Sequence, residues 1–279
     1  MTALLEVLPA LLAGVLYARR AQTLEREDRP VPTWRRLSFA AGLLAGTAGV
    51  VALGGVAGER FAAHMAEHLL LGDVAALLLV LGLTGQVLQP ILRHRALRWL
   101  RALSHPVPAL GLWAANLALW HVAPLHEAAV NHDVIHALQH ALFVGLGANM
   151  WMPLFGPLPM PAWFGNLAKL GYIVAVRLLG AVLGNVLLWS GHPLYDVYDA
   201  GDPLQDQTLA AAIMMVEGSL LTLVLFGWLF LRAAREGEER QELLDLAQER
   251  GVELSERRAA RAVAAGRGAE LRRRIETGS

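Results

Sequence analysis

Two histidine pairs of identical spacing stand out in the chain, His64 and His68 in "HMAEH" and His136 and His140 in "HALQH". Residues four apart lie on one helical face about one turn apart, so each pair can close on a single ion. Imidazole serves copper, zinc and iron alike. Cysteine is absent from the 279 residues, which removes thiolate metal sites, CxxC redox chemistry and disulfides together. Soft-metal chemistry therefore falls to His and Met, and Met65, at helical spacing, reads first as a packing residue. "HMAEH" also fits H-x-x-E-H, in which the Glu activates a zinc-bound water. Glu67 would be that base, and Gln139 occupies its place in the second pair.

The histidines sit in apolar surroundings. The chain is 55% hydrophobic, above the roughly 45–50% of a soluble domain, and its charges are segregated. They are sparse between Phe61 and Phe230 and crowded after Leu231. With a formal net charge of +0 and no basic face, nothing points to nucleic acid. A helix needs about 20 apolar residues to cross a bilayer. Stretches near that length run over residues 3–18, 37–57, 61–83, 107–121, 133–152, 167–189 and 207–231. The fold class expected is an all-α, polytopic membrane protein with seven transmembrane helices. The first stretch lacks a basic n-region and an A-x-A site, so it reads as a retained span. Residues 1–232 form the expected membrane domain. Residues 233–279 form a charged tail, helical or partly disordered, with breaks near Gly251 and Gly266.

Loop charges set the direction. The first connection holds Arg19, Arg20, Arg26, Arg29, Arg35 and Arg36, and the third holds Arg93, Arg95, Arg98 and Arg101. The fourth and sixth have no Lys or Arg. By the positive-inside rule the N-terminus is expected outside and the tail in the cytoplasm. His94 and His105 then fall inside, while His64, His68, His121, His126, His132, His136, His140 and His192 fall on the outer side. At about 1.5 Å per residue, His64 and His136 lie about one turn inside the membrane and His68 and His140 about one turn deeper. Polar groups at such depth normally face the bundle interior and mark function. His121 closes the fourth stretch at the same surface. His126 and His132 read as interfacial residues.

Deeper still, Asp73, Arg177 and Glu217 lie near mid-bilayer, where charges need partners. They form either an ion pair that fixes how three helices meet or a relay leading from the outer site, with Asn149 and Asn185 available to extend it. In the sixth connection, His192, Tyr195, Tyr198 and Asp206 are placed to fold over the histidines. Ring N–H groups of metal-bound histidines usually find an oxygen acceptor, and Glu67, Asp206 and Gln207 are the candidates.

The ordered set "HMAEHLLL", "LWHVAPLHEAAV", "HALQHALF", "MWMPLFGP", "YDVY" and "DQTLAAAIMM" resembles the CtaG family of cytochrome c oxidase assembly proteins of caa-type oxidases. The resemblance covers about residues 35–232. It implies a multi-pass factor of the bacterial plasma membrane that matures a haem-copper oxidase by handling copper. The oxidase subunit or other assembly factors would be its partners, beside the lipid bilayer. The matching positions are His64, His68, His121, His136, His140, Asp206 and Gln207. Glu67 stands where the family pattern has Gln, Met215 where it tends to Trp, and "HVAP" lengthens a His-Val-Pro by one residue.

Three functions compete. The first is a copper-handling assembly factor, a binding and transfer protein rather than an enzyme. The second is a seven-span zinc hydrolase with Glu67 as base. The third is a bis-histidine haem protein using one His from each pair.

Overall fold

The computed structural model describes residues 2–94 and 99–277; Arg95 and Arg98 of the third connection lie outside the described residues. Among the described residues the structure is helical, with no strand. Its helices are α1 (Thr2–Arg26), α2 (Thr33–Ala57), α3 (Phe61–Leu69), α4 (Ala76–Gly82), α5 (Gly85–Arg93), α6 (Leu100–Leu103), α7 (Pro106–Trp120), α8 (Ala123–Asn131), α9 (Asp133–Phe155), α10 (Asn166–Trp189), α11 (Pro203–Glu249), α12 (Glu256–Ala264) and α13 (Gly268–Thr277). A π-helical turn, Leu70–Ala75, joins α3 to α4.

Each stretch expected to span is helical. Among the described residues, four helical segments are long and apolar enough to cross a membrane: Thr33–Ala57, Phe61–Gly82, Asn166–Trp189 and Pro203–Glu249. α1 and α9 have 25 and 23 residues, and α7 has 15. The third stretch differs from expectation in one respect. It is not a uniform α-helix but widens at the π-turn, immediately below the first histidine pair.

The chain divides into two compact units, Met1–Leu220 and Leu221–Ser279, and α11 runs through the division. In the first unit, α2 lays a stripe of small residues along the third stretch. A Cβ at Gly42 would meet the Leu79 amide nitrogen at 2.9 Å, and one at Gly49 would meet Leu70 at 3.0 Å. Without a hydrophobic drive between helices in lipid, such small-residue faces let backbones approach and gain dispersion contact. The far end is tied by polar groups. Tyr17 donates its hydroxyl to the Gly82 carbonyl at 2.9 Å, and Arg35 Nη1 donates to the Leu81 carbonyl at 3.0 Å. The cation thus sits at the carbonyl-rich end of α4, where the helix dipole favours it.

In the second unit α11 ends at Glu249, and left-handed glycines turn the chain at Gly251 (φ 67°) and Gly266 (φ 66°). These are the breaks expected from sequence. Leu243 and Ala247 of α11 are covered by Val263 of α12 and Leu271 and Ile275 of α13.

Candidate metal centre

The two histidine pairs face each other across α3 and α9. Ring centroids lie 4.2 Å apart for His64 and His68, 4.1 Å for His136 and His140, 5.4 Å for His64 and His136, and 5.2 Å for His68 and His140. One ligand atom from each of His64, His68 and His136 lies within 4.8 Å of the others, and the same holds for Glu67, His136 and His140. The two groups overlap at His136, so the natural grouping runs across the helices rather than along either one.

The chemistry of these atoms fits a cation. His64, His68, His140 and Glu67 are buried. His64 Nε2, both ring nitrogens of His68, and His121 Nε2 are buried with no hydrogen-bond partner among the described residues. Leaving a buried polar atom unpaired costs about 1–3 kcal/mol, and an ion relieves that cost where a nitrogen of His64 and one of His68 converge with His136. Metal–imidazole bonds are about 2.0–2.1 Å, so small side-chain rotations close the His64, His68 and His136 group. Glu67 contributes a carboxylate oxygen 4.0 Å from His140 Nε2. Gly54 of α2 packs beside it, where a Cβ would stand in ordinary contact, 3.8 Å from Glu67 Oε1.

The elements hold these side chains from above. Asp206, at the start of α11, accepts from the Phe61 N–H at 2.7 Å and the Ala62 N–H at 3.4 Å. It thereby caps the orphan donors of the first turn of α3 and fixes the turn that carries His64. Gln207 accepts from the Leu194 N–H at 2.8 Å and donates to the Leu187 carbonyl at 2.9 Å and to Ser190 Oγ at 2.7 Å. Both residues differ from expectation, because they are occupied by backbone and loop groups rather than by ring N–H groups of the histidines. His192 differs too. Its side chain is exposed, and only its carbonyl joins the loop, accepting from Ser190 Oγ at 2.8 Å.

Tyr195 and Tyr198 are buried and close over the histidines as expected. Their partner is His126, whose place in a connection predicts an interfacial residue. His126 of α8 is 0% exposed, stacks on Tyr195 at 4.1 Å and lies 4.9 Å from the His64 ring. Its Nδ1 lies 3.2 Å from the Trp120 carbonyl and its Nε2 lies 2.6 Å from the Tyr198 hydroxyl. Nδ1–H therefore donates to the carbonyl, and Nε2 accepts from the phenol. Burial pushes the His126 imidazole from its ordinary 6.5 down to about 3, and burial raises the phenols of Tyr195 and Tyr198. His126 is thus a neutral, fully bonded wall of the site. The signal available was "APLHEAAVN", where a proline in the first turn opens a short helix and puts His126 on the same face as Ala129, also buried. His121 lies at the rim, its Nδ1 donating to the Leu117 carbonyl at 2.7 Å and its ring 6.1 Å from His126. His132 is exposed.

Below the cluster, Arg177 bridges two carboxylates, with Nη2 3.4 Å from Asp73 Oδ1 and Nη1 3.6 Å from Glu217 Oε2. Asp73 lies in the π-turn, and the Trp151 indole N–H donates to its carbonyl at 3.1 Å. Asn149 and Asn185 do not extend this group. Asn149 bonds Ser104 and the Leu103 carbonyl, and Asn185 bonds the Ala181 carbonyl and Trp189.

A helical membrane protein with a buried cluster of imidazoles and one carboxylate is the class that this fold and site define. The model of the family described as cytochrome c oxidase caa3 assembly factor (Caa3_CtaG) matches residues 15–236. The chain belongs to that family. Two curated relatives, uncharacterised proteins of Mycobacterium bovis and Mycobacterium tuberculosis, are each 28% identical over 201 residues, 63% of this chain. The match spans only 30% of the length of those relatives. No solved structure matches the chain.

Proposed function

We propose that this chain carries copper as cargo for the maturation of a haem-copper oxidase, in the bacterial plasma membrane, through a periplasm-facing site shared by α3 and α9. The observation that carries the reading is the convergence of His64, His68 and His136 within 4.8 Å, with buried ring nitrogens of His64 and His68 that find no hydrogen-bond partner among the described residues. His140 and Glu67 adjoin this group, and His121 stands at its outer rim. Imidazole is a ligand copper accepts in either common oxidation state, and a site without thiolate holds it less tightly than a cysteine site does. Release to an oxidase subunit or to another assembly factor needs that property. Membership of the assembly-factor family supports the client, and the loop arginines support an orientation with the cluster outside.

The same site supports a second reading. Glu67, His136 and His140 within 4.8 Å fit a zinc site with a carboxylate base. A haem held between the pairs fits less well, because rings with centroids 4–5 Å apart already touch where the macrocycle would lie. Metal analysis of the purified full chain after exposure to copper and zinc, with a visible spectrum of the same sample, tests all three. The expected result is bound copper and no haem absorption. Tightly retained zinc together with hydrolytic turnover abolished by Glu67→Gln would overturn it.

A further inference from the structure

We propose that an arginine-lined groove in the C-terminal unit binds the phosphate headgroup of an anionic phospholipid at the bilayer surface where α11 emerges. Residues 256–277 hold seven arginines against three carboxylates, Glu256, Glu270 and Glu276. Their apolar side chains, Val263, Leu271 and Ile275, are committed to α11, and the arginines other than Arg272 are left exposed. Arg257, Arg258 and Arg261 form one wall, and Arg267 and Arg274 the other, of a groove of about 510 Å³.

Only one of these five has a carboxylate partner among the described residues, Arg274 with Glu270 at 2.7 Å. Arg257, Arg258, Arg261 and Arg267 are exposed and form no ion pair among them. Four unneutralised guanidinium groups around one groove repel each other, and an anion reverses the sign of that interaction. The guanidinium fork matches phosphate oxygens in bidentate geometry.

Position selects the source of the phosphate. The apolar run of α11 ends in exposed Phe230 and Leu231, followed by Arg232 over the Trp228 ring at 5.7 Å, the pairing of an interfacial anchor. Gly268 lies against the Glu239 side chain, and Arg272 pairs with Glu242. Glu239 is eight residues beyond Leu231, or about 12 Å along the helix. The headgroup layer reaches about 5–8 Å beyond the hydrocarbon, and a surface field persists for a Debye length of about 8 Å. The Arg267 end of the groove therefore lies within reach of anionic headgroups, which attract basic segments beside a span.

Native mass spectrometry of the detergent-solubilised full chain, titrated with phosphatidylglycerol or phosphatidylcholine, tests the proposal. The triple variant R257Q/R258Q/R261Q is compared with R235Q/R240Q/R250Q, which removes the same charge from exposed arginines outside the groove. The groove variant should retain phosphatidylglycerol at least about tenfold more weakly, while the control variant and all phosphatidylcholine retention stay as in the wild type. Equal loss in both variants would reduce the effect to net charge and overturn the proposal. So would displacement of the lipid by inorganic phosphate at equal concentration, which would mark a site for free anions. Hydrogen exchange of α12 and α13 in the groove variant should match the wild type. If those helices have loosened, R258Q/R261Q replaces the triple, judged against R235Q/R240Q by the same criteria.

Discussion

Gly147 of α9 is seated on the carbonyl of Gly72. A Cβ at Gly147 would overlap the Gly72 carbonyl oxygen, and a Cβ at Gly72 would stand 3.4 Å from the Phe143 ring. This contact lies about one turn below His68 and about two turns below His140, and it sets how closely α3 and α9 approach. The cross-helix grouping of histidines depends on that distance. Gly147→Leu should separate the helices, cost at least about 1–3 kcal/mol and remove most bound copper. Gly145→Ala, which meets nothing within 4 Å, should do neither. Melting temperature and copper content of the two variants check this.

Tyr198 closes the site by donating to His126 Nε2 at 2.6 Å. Tyr198→Phe keeps the ring but leaves that buried nitrogen without its donor, at a cost of about 1–3 kcal/mol. Because His126 is saturated by Trp120 and Tyr198, the substitution should lower thermal stability while leaving copper stoichiometry unchanged. A variant of wild-type stability with halved copper would instead make His126 a ligand.

Arg177 is the single cation between Asp73 and Glu217. Arg177→Leu leaves two carboxylates facing each other in low dielectric, and breaking such a pair costs about 3–5 kcal/mol. The yield of folded protein should fall sharply, and Arg177→Leu combined with Asp73→Asn and Glu217→Gln should recover much of it. Wild-type yield for the single variant would contradict a pairing role.

The proposed orientation rests on arginines in the first and third connections and their absence from the fourth and sixth. A reporter fused after Leu231 should read cytoplasmic, and one inserted after Asn131 should read periplasmic. The opposite pattern would put the histidine cluster on the wrong face for the proposed cargo.

Much of the site was legible because it depends on short-range periodicity. Four-residue spacing put His64 with His68 and His136 with His140, and matched depth put the pairs together. The Asp73, Arg177 and Glu217 group was legible for a similar reason, since charges at mid-bilayer must find one another. What stayed hidden depends on contacts that spacing does not encode. A π-turn is one extra residue in a helix whose composition is unchanged. The Gly72 and Gly147 approach involves residues without side chains. Asp206 and Gln207 are legible as polar groups near the site, but spacing does not encode their partners, which are backbone groups at Phe61, Ala62, Leu187 and Leu194 and the Ser190 hydroxyl. His126 is not legible as part of the site, because a lone histidine in a connection resembles any interfacial residue until Tyr195 and Tyr198 cover it.

Whether one copper ion is held across α3 and α9, as proposed, is tested most directly by the copper content of His68→Ala, His136→Ala and the double variant. Each single substitution should remove most of the bound copper, and the double should be little worse than either, because ligands of one ion do not act additively. Loss of half in each single variant and all in the double would mean separate ions on separate helices. Full copper in the double variant would contradict the site altogether.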